Sequence, residues 1–425
     1  MTLNLTQSET FTRLVAPLLP ALEQADHQYT CHNFPDEQWV ATGILRVIDD
    51  IRSGCGFLQQ GHLLDFFDAR KSTYFESFKS QRRLRYLRSA SDIFMLGQSQ
   101  YALKNNPSAE LHDSLKDFHL YAGDGHFHAA STHDSCDDKG RKHAIGHLYA
   151  LNLRNDLLSH LTLTSEGSKK KPHDMAMLKK MDIKTLRQGA QKGQKVLYVW
   201  DRAGIDFTQW DKWKNTNGIY FLSRSKSNMK LETLGAHSYD KKDPINAGIL
   251  ADEIVGNSAG RMIRRVRYLV PESNEPMEFI TTLGRSIPPG VIAQLYFMRW
   301  RIEKSFDALK NKLYEQKSWA SSNEAKRIQG EFTVLAYNLA TLLHAQIEED
   351  EELEDSQNTR KREQRLTDIK EKMVGEGRLL PQLRETYRRA SQLSIKYYRW
   401  LRVYIYQQSS WRQSLVQLRT VLANF

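Results

Sequence analysis

The stretch Tyr296-Phe297-Met298-Arg299-Trp300-Arg301-Ile302-Glu303-Lys304-Ser305-Phe306-Asp307-Ala308-Leu309-Lys310 decides how the rest of the chain is read. Tyr296, Arg299, Glu303 and Lys310 follow one another at steps of three, four and seven. On an α-helix these side chains fall within an arc of roughly 60°, so a helix here presents them as one row. Leu295, Ile302, Phe306, Leu309 and Leu313 form a neighbouring apolar stripe, and burying it points the polar row at the edge of whatever the helix packs against. A carboxylate flanked by Arg, Lys and a phenol suits phosphodiester chemistry: Glu holds a divalent metal while the others grip phosphate oxygens. The spacing alone equally suits a solvated surface helix with spaced ion pairs.

Composition narrows the setting. A chain of 425 residues exceeds the ~250–300 at which single cores stop growing, which predicts two or three packed units. With 40% hydrophobic and 26% charged residues, wholesale disorder is excluded. Lys plus Arg at 61 against Asp plus Glu at 50 leaves a net charge of +11, which favours a polyanionic partner, nucleic acid first. Cys31, Cys55 and Cys136 lack disulfide or metal-ligand spacing, which points to a reducing compartment. No secretory leader is legible and no apolar run approaches ~18 residues, so the expectation is a cytoplasmic protein with no membrane partner.

From Ser8 to about Gln98 apolar residues recur at helical spacing, as in Val40, Ile44, Val47, Ile48 and Ile51. Arg82, Arg83, Arg85 and Arg88 cluster there, equally suited to facing DNA or to forming a solvated basic face. Strand-length segments follow at Phe118–Ala122, His143–Leu153, Leu157–Leu163, Val196–Trp200 and Ile219–Leu222, with a helix over His173–Leu186. A tighter β pattern fills Gly218–Leu283 before Pro288-Pro289-Gly290 opens a long helix to about Leu313, and another helix spans Glu324–Gln346. The acidic run Glu348–Asp355 reads as a solvated linker, and Leu379–Asn424 returns to amphipathic helix, open to dimerisation or DNA contact. The division expected is a helical DNA-binding domain at 1–110, an α/β domain at 111–347 with a β-rich insertion at about 218–287, and a linker with a C-terminal helical region at 348–425.

Tyr-x2-Arg-x3-Glu-x6-Lys, here Tyr296, Arg299, Glu303 and Lys310, resembles the YREK signature of the DDE transposases of insertion sequence family four. Upstream, Tyr121-Ala122-Gly123-Asp124-Gly125 and Val199-Trp200-Asp201-Arg202 resemble the strands that end in that family's first and second catalytic Asp. The resemblance covers roughly Asp117 to Ala345. It implies a ribonuclease-H-like (retroviral-integrase-like) catalytic domain interrupted by the β-rich insertion and flanked by helical regions. It also implies Asp124, Asp201 and Glu303 as catalytic and metal-binding residues. Tyr296, Arg299, Lys310 and Arg224 are then expected to hold DNA phosphates. Where a relative stacks a Trp on a flipped base, local pattern here offers Phe279. By the family's example, the N-terminal helices, with Arg82, Arg83 and Arg85, recognise the terminal inverted repeats. The reaction expected is cut-and-paste transposition through a hairpin at the transposon end. The partners expected are double-stranded DNA, as transposon ends and target, and a second copy of the chain in a homodimer on DNA, at the prokaryotic nucleoid.

Three carboxylates at one sheet edge repel one another unless cations intervene, and hard oxygen donors select Mg2+, with Mn2+ as a substitute. Two such ions ~3.5–4 Å apart would serve both hydrolysis and strand transfer. His126, His128, His133, Cys136, His143 and His147 raise a zinc site as a rival, but their spacing matches no finger or ribbon. A non-catalytic sequence-specific DNA-binding protein, or a nuclease of the same fold without strand transfer, are the alternatives.

Overall fold

The first described elements are helical: Glu9–Val15 (α1), Leu19–Gln24 (α2), Asp36–Ile48 (α3), Gly54–Leu63 (α4), Lys71–Ser77 (α5) and Gln81–Gln98 (α6). Ser8 and Ser53 cap α1 and α4 by accepting the N–H groups of Phe11 and Gly56, which satisfies donors that a helix start leaves free. The structure is a computed structural model that describes residues 8–25, 34–98, 112–163, 174–270, 275–353 and 395–424, except 52, 68 and 314, and scattered positions between 360 and 375.

Nine strands then form one sheet: Phe118–His128 (β1), Ile145–Asn152 (β2), Leu158–Leu163 (β3), Lys195–Trp200 (β4), Ile219–Arg224 (β5), Glu232–Ala236 (β6), Ile249–Gly256 (β7), Met262–Leu269 (β8) and Pro276–Thr281 (β9). Their order is β3-β2-β1-β4-β5-β9-β8-β7-β6. β1, β4 and β5 run parallel, and the remaining pairs are antiparallel. A mixed sheet of this kind, with helices on both faces, fits a ribonuclease-H-like fold. The strands after β5 lengthen the same sheet, because β9 pairs with β5 through Leu222, Ser223 and Arg224.

One face of the sheet carries Tyr121, Tyr198, Trp200 and Phe221. It is covered by Asp174–Leu178 (α7), Ile183–Arg187 (α8) and Phe207–Asn217 (α9), whose Trp210 and Trp213 stack on Phe221 at 5.3 and 5.2 Å. The single helix expected over 173–186 is thus two short ones, the second started by Asp182, which accepts the Lys184 N–H.

The other face is covered by Pro289–Met298 (α10), Trp300–Asp307 (α11) and Asn323–Glu351 (α12). The long helix expected from Pro289 to Leu313 is broken. At Arg299 the bonds tighten to three-residue spacing, from the Arg299 N–H to the Tyr296 carbonyl and from the Ile302 N–H to the Arg299 carbonyl, and Ala308–Lys312 is a π-helical turn. The first part of the acidic run continues α12, and residues 354–359 lie outside the described residues. Two further helices, Ile395–Tyr404 (α13) and Trp411–Asn424 (α14), complete the described chain, and residues 379–394 of the stretch expected to be helical lie outside it.

The N-terminal helices, α12, α13 and α14 share one continuous apolar core, in which Gly43 of α3 lies against the Phe332 ring of α12. α1 is fastened to the far end of the chain. The Ser8 hydroxyl donates to the Tyr404 carbonyl, the Trp411 N–H to the Glu9 carboxylate at 2.6 Å, and the Arg13 guanidinium lies 4.7 Å from the Trp411 ring.

Candidate active site

β1 and β4 run parallel in a register that makes Gly123 the partner of Trp200, so Asp124 and Asp201 leave the pair side by side, on strands ~4.8 Å apart. Asp201 starts the short 3-10 turn Arg202–Gly204, its side chain accepting the Ala203 N–H at 2.7 Å. The Ser223 hydroxyl of β5 donates to the Asp201 carbonyl at 2.9 Å. Asp124 accepts the Gly125 N–H at 2.7 Å through Oδ1. Burial, reinforced by the neighbouring Asp201 charge, pushes the Asp124 carboxyl up to about 7. Asp174, buried at the start of α7, adds a further like charge to Asp124. Sequence reasoning missed it, because a lone Asp at a helix start carries no spacing that ties it to β1.

Glu303 comes from α11, which packs over β1, and it reaches Asp124 through a third residue. Arg299 donates from Nη1 to Asp124 Oδ2 at 3.2 Å and from Nη2 to Glu303 Oε1 at 2.8 Å. Arg299 is buried, whereas the Glu303 side chain is 49% exposed. Tyr296 does not share the exposed row expected of it. It is only 6% exposed and packs on Phe279 at 4.8 Å, with the Arg299 guanidinium 5.7 Å from its ring centroid. Lys310 is exposed on the π-helical turn, and Arg224 ends β5. The helix break before Glu303 and the π turn after it rotate these residues out of the single 60° arc that an unbroken helix gives.

Asp124 and Asp201 offer hard oxygen donors whose mutual repulsion a divalent cation would relieve, so this pair fits Mg2+ or Mn2+. Glu303 is turned to Arg299 instead. Among the described residues no group of three or more His, Cys, Asp or Glu is disposed to hold a metal ion. The three-carboxylate cage expected from the sequence is therefore not assembled in this structure, because a guanidinium stands between two of its members.

Two other expectations need correction. Phe279 is fully buried among Tyr268, Tyr296 and Phe297, so it has no face to offer a base. Arg82 and Arg83 both pair with Asp36, at 2.6 and 3.1 Å, and Arg83 is 4% exposed, so these two tie α6 to α3 instead of facing outward. Arg85 is exposed, and Arg88 pairs with Glu331.

The histidines form a buried group behind Asp124. His126 and His128 follow it on the same face of β1, and burial pulls both down to about 4. His147 Nδ1 lies 3.0 Å from His160 Nε2, and His160 Nδ1 lies 3.1 Å from Glu331. His133, Cys136 and His143 are exposed.

No helix among the described residues is long and apolar enough to cross a membrane. No curated protein matches the chain. Residues 131–339, which include Asp201 and Glu303 and begin seven positions after Asp124, match the family model of the transposase DDE domain. That match, on a mixed sheet that sets Asp124 and Asp201 on neighbouring parallel strands, supports a DDE transposase.

Proposed function

We propose that the protein is an insertion-sequence transposase of the YREK type, which binds terminal inverted repeats and catalyses metal-dependent cleavage and strand transfer. The observation that carries this reading is the juxtaposition of Asp124 and Asp201 at neighbouring parallel strands, with Glu303 linked to Asp124 through Arg299. Asp124, Asp201 and Glu303 would hold Mg2+ or Mn2+, which when bound supplies Lewis acidity at phosphate oxygens and lowers the pKa of an attacking hydroxyl.

The chain's own groups do the rest. Ser223 and the Ala203 N–H fix Asp201 in place through its carbonyl and carboxylate. Arg299, Lys310 and Arg224 hold backbone phosphates of the DNA end, and Tyr296 supports the Arg299 guanidinium from beneath. Exposed basic residues of the N-terminal helices, Arg85 among them, contact the terminal repeats. Cleavage proceeds by cut-and-paste through a hairpin, on a homodimer that holds two ends together.

The test is incubation with the element's end DNA and Mg2+, followed by a denaturing gel that resolves nick, hairpin and double-strand break. Asp124→Ala, Asp201→Ala and Glu303→Ala are each expected to lower cleavage by about two orders of magnitude or more while DNA binding survives, since each removes several kcal/mol of charge stabilisation. Undiminished cleavage by any one of them removes that residue from the site. Cleavage without joining to target DNA leaves a nuclease.

A further inference from the structure

Arg299 occupies an unusual position for a residue meant to grip a ligand: both of its terminal nitrogens are already engaged by carboxylates. One is Asp124 and the other Glu303, which reach it from a strand and a helix 179 residues apart in sequence (303 − 124 = 179). Its Nε is buried and has no hydrogen-bond partner among the described residues. A guanidinium does not lose its proton at any working pH, so its charge leaves this place only if the side chain moves. The residue also sits at the junction of α10 and α11, where the helical bonds are interrupted.

We propose that Arg299 is a latch that couples DNA-end binding to divalent-metal binding. Without DNA, its guanidinium neutralises Asp124 and Glu303 and keeps them from a shared cation. A backbone phosphate of the DNA end draws the guanidinium away and frees both carboxylates. This rests on the reading of the site as metal-dependent and DNA-processing.

The physical argument is a competition for one fork. A phosphate presents the same two-oxygen geometry as a carboxylate, and the unpartnered Nε–H gives it a donor that neither carboxylate uses. A cation that needs Asp124 and Glu303 as ligands has to displace a charge-assisted bond at each, at 3.2 and 2.8 Å. DNA and metal then raise each other's affinity by the same factor, as linkage requires. The benefit is protection: the chain alone is poorly loaded with metal and so does not nick DNA it has not engaged at an end.

The experiment measures Mn2+ binding to the full chain by electron paramagnetic resonance, with and without a saturating double-stranded oligonucleotide carrying the terminal repeat. Wild type is expected to bind Mn2+ about tenfold tighter, or more, with DNA than without it. Arg299→Gln and Arg299→Lys are each expected to bind Mn2+ about tenfold tighter than wild type in the absence of DNA, and to gain less than about threefold from adding it. The Lys variant keeps the charge but, as a single point, does not span two carboxylates. A gain in the Gln variant alone would mean simple charge removal and would overturn the latch. Equal Mn2+ affinity of both DNA-free variants and wild type would also overturn it. Asp124→Asn separates the two levels of the argument. If it abolishes DNA-dependent Mn2+ binding while the Arg299 variants behave as wild type, the latch alone fails. If it leaves Mn2+ binding intact, the metal-dependent reading fails and the latch with it.

Discussion

Gly123 lies directly beneath the Trp200 ring: a Cβ built on Gly123 would stand 1.7 Å from the nearest ring carbon. The two are register partners on β1 and β4, and each immediately precedes one of the paired aspartates. The absence of a side chain at 123 therefore leaves the room that the Trp200 ring occupies next to the paired aspartates. Gly123→Ala is expected to destabilise the chain by about 1–3 kcal/mol through overpacking. Adding Trp200→Leu should recover part of that loss, a non-additivity read from urea midpoints of the single and double variants. Simple addition of the two effects would mean that the ring does not press on position 123.

Phe279 belongs to the core. Its replacement by Ala should cost about 3–5 kcal/mol, as for other buried aromatics. Phe279→Leu keeps most of the volume and should cost less, and below its melting point should bind end DNA as wild type does. A large loss of DNA affinity in a folded Phe279→Leu protein would restore a direct role in base contact.

The arginines of α6 should divide by partner. Arg83→Ala leaves the buried Asp36 with only Arg82 and is expected to cost about 3 kcal/mol of stability. Arg85→Ala, at an exposed position, should change stability by no more than about 0.5 kcal/mol. If Arg85 touches a phosphate, its loss should lower the slope of log affinity against log salt by about one. An unchanged slope would remove Arg85 from the interface.

Glu315 carries a pH prediction. Burial raises its carboxyl to about 7, against its usual value of 4.5, although Gln329 donates a hydrogen bond to it. A raised acid contributes stability that is fully present below its unfolded value and is lost as pH rises through its folded value. Glu315→Gln should therefore match wild type most closely near pH 4.5 and exceed it progressively toward pH 7, by on the order of 3 kcal/mol above that. Denaturant midpoints across this range read the difference, and a constant offset between the two proteins would contradict it.

Strands β2 to β5 and the first half of β1 were legible because each is a short apolar run bounded by turn residues. The rest of β1 was not, because Gly123-Asp124-Gly125 reads as a turn although the strand continues through it to His128. The break at Arg299 was not, because no Pro or Gly marks it: Met298-Arg299-Trp300 reads as ordinary helix. Phe279 looked exposed because its cover, Tyr296 and Phe297, comes from a helix later in the chain. Arg83 looked solvated because its partner, Asp36, lies 47 positions earlier. The Arg299 bridge escaped notice for the same reason, since a row of like-spaced residues says nothing about which distant carboxylate one of them will meet.

The fastening of α1 to Tyr404 and Trp411 has a consequence for how the protein is made. Glu9 and Trp411 are 402 positions apart, so at ~5–20 residues per second the ribosome separates their emergence by roughly 20–80 s. Throughout that interval Phe11 and Leu14, buried in the finished molecule, lack part of their cover. Nascent chains are thus exposed to holdase chaperones for most of their synthesis, and a product truncated before α13 keeps an apolar scar that quality-control proteases can recognise.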